Sequence, residues 1–400
     1  MNDTSITLPP MTNDTDLPMA SEITDSAKTM AFVANGTGIV MASTANVTYQ
    51  EGELFTWHGT ELIILPMMMV LGIAGNLLVF YIYHFRWRSN TVTLFKRMLA
   101  VLDLCNLVLA LPSLLYTVVN PGSDGFQVNC IFMSFVALST AIASGCLLVI
   151  IAADRFMKLC LLRKTGIGTI LAKKLFAVSV IIACLLDIPT VWLFGMTTVV
   201  FKHYQVQVSY CFIKTESKNG VIFYVYIAML SLVFMAVMAA LFVLYAKVII
   251  VLRRLAEKHD ELKRRPSLAG GAETLKRQKQ TEVMQKSAVV FIAITVVFFA
   301  SYAPYFVTMI ISMLDQSVEA AMSPGLKAIY DLAKLSPLAN NVANPFIYSF
   351  TSEHFREEVK NIFTFKACEK GFFRRRAFSF SRSDRSKEIS EISDSREQET

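Results

Sequence analysis

Long apolar blocks separated by short polar and charged connections set the pattern from residue 61 to residue 350. The clearest runs from Cys130 to Cys160, where Ile131 through Ala153 holds no charged residue and no proline. A bilayer core takes about 20 apolar residues at a rise of about 1.5 Å each, so this block is long enough to cross one as a helix. Seven such blocks predict seven spans, at roughly 61–85, 94–119, 128–160, 171–195, 219–254, 284–314 and 325–350. Between the fourth and fifth, Val199 to Phe212 partly alternates, as in Val206-Gln207-Val208-Ser209, and is rich in β-branched and aromatic residues; a short hairpin is expected. After the seventh, Phe355, Val359, Ile362 and Phe363 fall at i, i+4, i+7 and i+8, the stripe of a short amphipathic helix on a membrane surface.

Composition points to lipid. Hydrophobic residues make up 54% and charged ones 17%, and blocks this long in water would need burial on every side. The fold class is an all-α membrane protein, a seven-transmembrane helix bundle over 61–350 with a surface helix over 351–365. A polar segment, 1–60, precedes the bundle, and a Ser-, Arg- and Glu-rich tail, 366–400, follows it and should be disordered. The charged loop from about 255 to about 283, with Pro266, Gly270 and Gly271 in its middle, should be helical only at its ends.

The net charge of +7 could suggest nucleic acid, but its distribution reads as orientation. Arg86, Arg88, Lys96 and Arg97 follow the first span, Lys158, Arg163, Lys164, Lys173 and Lys174 the third, and a dense cluster the fifth; the connection after the second has no Lys or Arg. Positive loops stay cytosolic, which puts the N-terminus outside the cell and the C-terminus inside, in a multi-pass plasma-membrane protein that does not bind nucleic acid. Residues 1–60 carry no apolar core of a cleavable signal but hold four glycosylation sequons, at Asn2, Asn13, Asn35 and Asn46, found in no other segment.

That topology sorts the seven cysteines. Cys105, Cys146 and Cys184 lie within spans, and Cys160 and Cys368 face the reducing cytosol, where Cys368 is placed for a thioester lipid. Only Cys130 and Cys211 face the oxidising side; a bridge would tie the third span to the hairpin, with two free thiols as the alternative.

Two charged sites stand out. Asp154-Arg155 closes the third apolar block, and an adjacent pair there fits either a cavity between helices or a flank that snorkels to the interface. Asp103 is the only acid deep within the second span, where a carboxylate needs a counter-ion or a proton.

Gly75-Asn76-Leu77 in the first span, Leu99-Ala100-Val101-Leu102-Asp103 in the second, Cys130 with Asp154-Arg155 in the third and Asn344-Pro345-Phe346-Ile347-Tyr348 in the seventh follow in order. Together they resemble the signatures of rhodopsin-like G-protein-coupled receptors, over roughly residues 61–363. Departures are Phe156 where the family usually has Tyr, Tyr302 and Ser179 where it has Trp, and Val237 where it has Pro. The resemblance implies a receptor rather than an enzyme, needing no cofactor, with a sodium ion at Asp103 and Ser144 and with Asn340 and Asn344 lining the same cavity; a neutral, hydrogen-bonded Asp103 is the alternative. It implies that Arg155 pairs with Asp154 at rest. The second acid that helps in related receptors is replaced by Met284, so the lock should be one-sided and basal signalling measurable. Agonist binding would shift Phe298 and Tyr302 about a kink at Pro304, free Arg155, and let Tyr245 and Tyr348 stabilise a cleft for a heterotrimeric G protein. Ordinary helix packing is the plainer reading of most of these residues.

The matches to amine receptors and to opsins fail, because the amine-binding Asp position is Ala137 and the retinal Lys position is Leu338. What remains is a polar and aromatic cup, Tyr116, Gln127, Ser134, Tyr226, Tyr305, Thr308, Tyr330, Asp331 and Lys334. With a hairpin over it, the cup looks most like that of a peptide receptor, although outer helix ends are polar in any membrane protein. A lipid-like or other small ligand is the second reading. A non-signalling scaffold, or a transporter or channel, is the alternative from another class; an internal repeat or a run of midplane charges would mark the latter, and neither occurs. Ser267, after Arg264-Arg265-Pro266, resembles a basophilic kinase site, and Ser379, Ser381 and Ser383 could be phosphorylated by receptor kinases for arrestin. Serine-rich disorder without function is the alternative.

Overall fold

The computed structural model describes residues 31–35, 38–42, 51–120, 123, 125–163, 166–201, 206–214, 220–264, 272–314, 318 and 322–364. The calls at Asn2, Asn13, Asn46, Ser267, Cys368, Ser379, Ser381 and Ser383 lie outside them. Two units separate, residues 1–46 and 47–400. In the first, β1 (Ala31–Asn35) pairs antiparallel with β2 (Gly38–Ala42), from Ala31 opposite Ala42 to Asn35 opposite Gly38. The polar reading of the segment missed this pairing.

The second unit is a multi-pass membrane bundle. Its helices are α1 (Glu51–Tyr81), α2 (Thr91–Cys105), α3 (Leu111–Val119), α4 (Phe126–Leu159), α5 (Thr169–Asp187), α6 (Thr190–Leu193), α7 (Val221–Arg264), α8 (Ala272–Leu314), α9 (Pro324–Leu335), α10 (Pro337–Thr351) and α11 (Glu353–Phe363). Among the described residues six spans are long and apolar enough to cross a membrane: Gly59–Arg86, Thr91–Val119, Phe126–Leu159, Thr169–Leu193, Val221–Glu257 and Thr281–Ser312. The seventh is α9 and α10, parted at Ser336 because Pro337 has no N–H to carry the ladder on. The outward faces are apolar, with Leu232, Met235 and Phe242 of α7 exposed, as lipid allows.

Prolines and caps account for the boundaries that differ from the sequence reading. Span two starts at Thr91, not near 94, because Asn90 and Thr93 form a capping box, each side chain accepting from the other's backbone N–H at 2.9 Å. A π turn, Asn106–Ala110, then widens this span ahead of Pro112, and the Leu111 N–H donates to the Asn106 carbonyl. Span four breaks before Pro189, and the short α6 ends at Leu193. The chain from Phe194, expected to be helical to 195, is already strand. The hairpin is therefore longer than expected: β3 (Phe194–Phe201) pairs antiparallel with β4 (Val206–Ile213). Cys130 at the start of α4 is disulfide-bonded to Cys211 of β4. This marks one end of the bundle as the hairpin end; the other is the Arg155 end.

The largest apolar core, including Phe95, Leu147, Ile151, Leu241 and Phe291, joins the span halves nearest Arg155. Gly75 sits where a Cβ would lie 2.7 Å from Pro345 Cγ, so spans one and seven touch there only because it has no side chain. The α11 N-cap Ser352 accepts from the Phe355 N–H at 3.2 Å. Phe355 is 1% exposed, with ring centroids 5.8 Å from Tyr83 and 6.1 Å from Tyr348. Arg86 Nε, 3.0 Å from Glu358 Oε2, ties the same helix to the end of span one.

Phe355→Ala should lower stability by about 3 kcal/mol, whereas Phe363→Ala, at a side chain 73% exposed, should stay within about 0.5 kcal/mol. Thermal unfolding of the two purified variants in detergent checks the difference.

Candidate functional site

Burial in hydrocarbon leaves a charged group only partners within the bundle, and the charged side chains of the spans accordingly collect into separate polar knots. At the Arg155 end, Asp154 and Arg155 lie at the close of α4, 0% and 1% exposed. The Arg155 guanidinium donates to Asp154 Oδ2 through Nη2 and to Ser287 Oγ of span six through Nη1, the latter at 2.7 Å. Its carbon lies 5.6 Å from the centroid of the Phe291 ring, and its Nε has no hydrogen-bond partner. The lock expected to be one-sided is therefore held from span six as well. Its second anchor is a neutral hydroxyl one turn beyond Met284, whose carbonyl accepts from Ser287 at 2.9 Å.

Asp154 is the hub. Besides Arg155 it takes Lys158 Nζ at 2.9 Å and the Ile167 backbone N–H at 3.1 Å, which pins the connection after span three against it. That approach needs Gly166, whose φ is +56° and whose Cβ would lie 2.4 Å from Asp154 Oδ1. Nothing in the local sequence singles this glycine out, because the carboxylate it approaches is twelve residues away.

Lys96, counted among the loop charges, is instead 7% exposed inside the bundle. It lies in the second turn of α2. Its Nζ donates to Tyr83 Oη at 2.8 Å and sits 4.4 and 4.6 Å from the ring centroids of Tyr83 and Tyr348. Tyr348 is 0% exposed and its hydroxyl has no hydrogen-bond partner. Tyr245 accepts a long bond, 3.4 Å, from Thr295.

Asp103 occupies the middle of the bundle at 2% exposed. Asn344 Nδ2 donates to its Oδ2 at 2.7 Å, and among the described residues no basic side chain pairs with it. Ser144 and Asn340 are also buried but make no direct bond to it. No three His, Cys, Asp or Glu side chains gather among the described residues. A cation here would meet one carboxylate and neutral oxygens, which fits a hard monovalent ion. Asn76 joins this layer, donating to the Asn341 carbonyl at 2.7 Å. Toward the hairpin end the Phe298 and Tyr302 rings lie tilted with centroids 4.7 Å apart, and Ser336 Oγ donates at 2.6 Å to the Ser301 carbonyl, three residues before Pro304.

The nine cup residues are less free than the sequence suggests. Gln127 Oε1 accepts from the Met196 N–H at 2.8 Å and anchors the hairpin to span three, and Ser134 lies 3.7 Å from Cys211 Sγ. Thr308 bonds within its own helix. Tyr330 donates to the Thr308 carbonyl at 3.0 Å and meets Ser312 Oγ at 2.6 Å. Asp331, 2% exposed, pairs with Lys327 at 2.8 Å and with Lys334 at 3.1 Å; Lys334 also lies 3.9 Å from Glu61. Tyr226 is bound into a knot around Asp187, a buried acid the sequence reading passed over. Tyr116, 39% exposed, keeps an open face.

A family model described as 7 transmembrane receptor (rhodopsin family) matches residues 75–348. No curated protein matches the chain.

Gly166→Ala should destabilise by more than the about 1 to 2 kcal/mol that a positive φ costs an L-residue, because the added Cβ would also meet the Asp154 carboxylate. Unfolding temperatures of Gly166→Ala in the native chain and in Asp154→Ala, measured side by side, isolate the contact with Asp154.

Proposed function

Because the chain belongs to the rhodopsin family of seven-transmembrane receptors, and so is a G-protein-coupled receptor with an extracellular ligand and a G protein as partners, we propose that its ligand is a peptide and that it signals by opening a cleft at the Arg155 end. In this reading the hairpin end faces outward and the N-terminus is extracellular at the plasma membrane. The observation that carries it is the Arg155 lock. A guanidinium 1% exposed is held by its neighbouring carboxylate and, from span six, by one hydroxyl. Two opposite charges adjacent on one helix travel together, so the contact that moving span six breaks is the Ser287 bond.

Two further features support the same movement. Pro304 removes one rung of the span-six ladder and gives the helix a place to bend. Tyr348 and Tyr245 are under-bonded in this packing, so a rearranged cleft in which both hydroxyls find partners gains from them. The change is a shift between two packings, driven by the ligand's preference for one. A peptide ligand is supported by the hairpin at the mouth, fixed through Cys211 and Gln127, and by a cup whose charges are already paired and which therefore offers no lone counter-ion for a small charged ligand. A basophilic kinase acting on Ser267, receptor kinases and arrestin acting on Ser379, Ser381 and Ser383, glycans on Asn2, Asn13, Asn35 and Asn46, and a lipid on Cys368 belong to this proposal.

The deciding experiment is guanine-nucleotide exchange on purified Gα subunits by the full-length receptor in lipid nanodiscs, screened against a peptide library. Losing a hydrogen bond to a charged group costs about 1.5 to 3 kcal/mol. Ser287→Ala should therefore raise the open fraction, and with it basal exchange, by about tenfold to about a hundredfold while that fraction is small; Arg155→Ala should abolish coupling. Activation only by lipid extracts would replace the peptide reading, and no exchange under any condition would leave a non-signalling scaffold.

We also propose that Asp103, with Ser144, Asn340 and Asn344, holds a sodium ion that favours the closed packing. Raising sodium should weaken agonist binding to the native receptor and leave Asp103→Asn unaffected. Radioligand competition at constant ionic strength tests this.

A further inference from the structure

The knot around Asp187 has a use that the receptor reading does not assign. Asp187 closes α5 at the hairpin end and is 0% exposed. Ser139 of span three donates to its Oδ2 at 2.8 Å. On Oδ1 three oxygens form a closed triangle: Thr190 Oγ1 at 2.5 Å, Tyr226 Oη of span five at 2.9 Å, and 2.7 Å between the two hydroxyls. All three edges are hydrogen-bond distances, and each needs one hydrogen between its oxygens. Thr190 and Tyr226 supply two. With an ionised carboxylate, one edge would set lone pair against lone pair in a buried site, whereas with a carboxylic acid each oxygen donates once and accepts once around the ring.

Among the described residues no basic side chain pairs with Asp187. Of the elements packed here, span three presents the neutral Ser139 and span five Tyr226, with the neutral Tyr305 of span six near Tyr226. The hairpin contributes the apolar Phe194 and Ile213, in one cluster with Leu193, Phe223 and Tyr226. Lys214, just after the hairpin, lies against Gly195, its Cε 2.5 Å from where a Cβ on that glycine would stand.

We propose that Asp187 is a proton-binding site: a carboxylic acid that joins spans three, four and five at the hairpin end by sharing one proton with Thr190 and Tyr226. The packed knot then holds one proton more than the same groups in an unfolded chain, where the carboxyl is already ionised above about pH 4. Acid favours the packed arrangement and alkali loosens it, by up to about tenfold in the equilibrium per pH unit for one proton.

Two measurements on the full-length protein in nanodiscs test this without reference to signalling. Infrared difference spectra at neutral pH should show a protonated-carboxyl C=O component that is lost in Asp187→Asn and kept in Asp103→Asn. Thermal stability should fall as the pH rises above about 4, where the unfolded carboxyl ionises, and the slope should flatten in Asp187→Asn. Tyr226→Phe removes one oxygen and leaves a single edge that the Thr190 hydroxyl can serve alone, so it should also lose the component while the acid stays in place. A spectrum unchanged by both substitutions overturns the proposal. So does a native protein whose stability is flat over this range, a result that needs no variant to fold.

Discussion

A charge buried in a lipid-facing bundle can be satisfied only by the bundle itself, and the contact between Arg155, Asp154 and Ser287 shows that constraint most plainly. Spans three and six and the connection after span three are all referred to this one group. Lys158 and the Ile167 backbone complete Asp154, Gly166 makes room for it, and Phe291 faces the guanidinium. Because the anchor from span six is a hydroxyl instead of a carboxylate, its bond can be exchanged without leaving a second buried charge alone. A lock of this kind closes one packing and does not forbid another.

The same rule shapes the other polar knots, and each obeys it differently. Asp331 is neutralised by Lys327 and Lys334, an ion cluster that fixes the hairpin end of span seven. Asp103 has a single amide donor, which leaves room for a cation or a proton. Asp187 has only hydroxyls, whose hydrogens are one too few for the contacts they make. These three buried acids thus differ in their partners, which are two ammonium groups, one amide and hydroxyls alone.

Prolines set where the spans are allowed to be irregular. Pro112 follows a π turn, Pro189 ends span four and releases the chain into the hairpin, and Pro337 divides span seven. The bond from Ser336 to the Ser301 carbonyl joins the break in span seven to the bend in span six. Two weakened ladders are coupled at one place, between the cup and the Asp103 layer.

The number of spans, the surface helix, the hairpin and the family were legible in the sequence, because apolar length, period and short motifs are local properties that lipid enforces directly. Boundaries were less so: span two began earlier than its apolar block, since the Asn90–Thr93 cap and not hydropathy fixes its first turn, and Lys96, read as a loop charge, is buried in the bundle. The β1–β2 ribbon was hidden by the polarity of its surroundings. What the chain order could not supply was partnership. Ser287, Gly166 and Asp187 are unremarkable residues along the chain, and only the packing of spans three to six brings the first to Arg155, the second to Asp154 and the third to Tyr226, because which oxygen meets which hydrogen is decided by contacts between segments far apart in sequence.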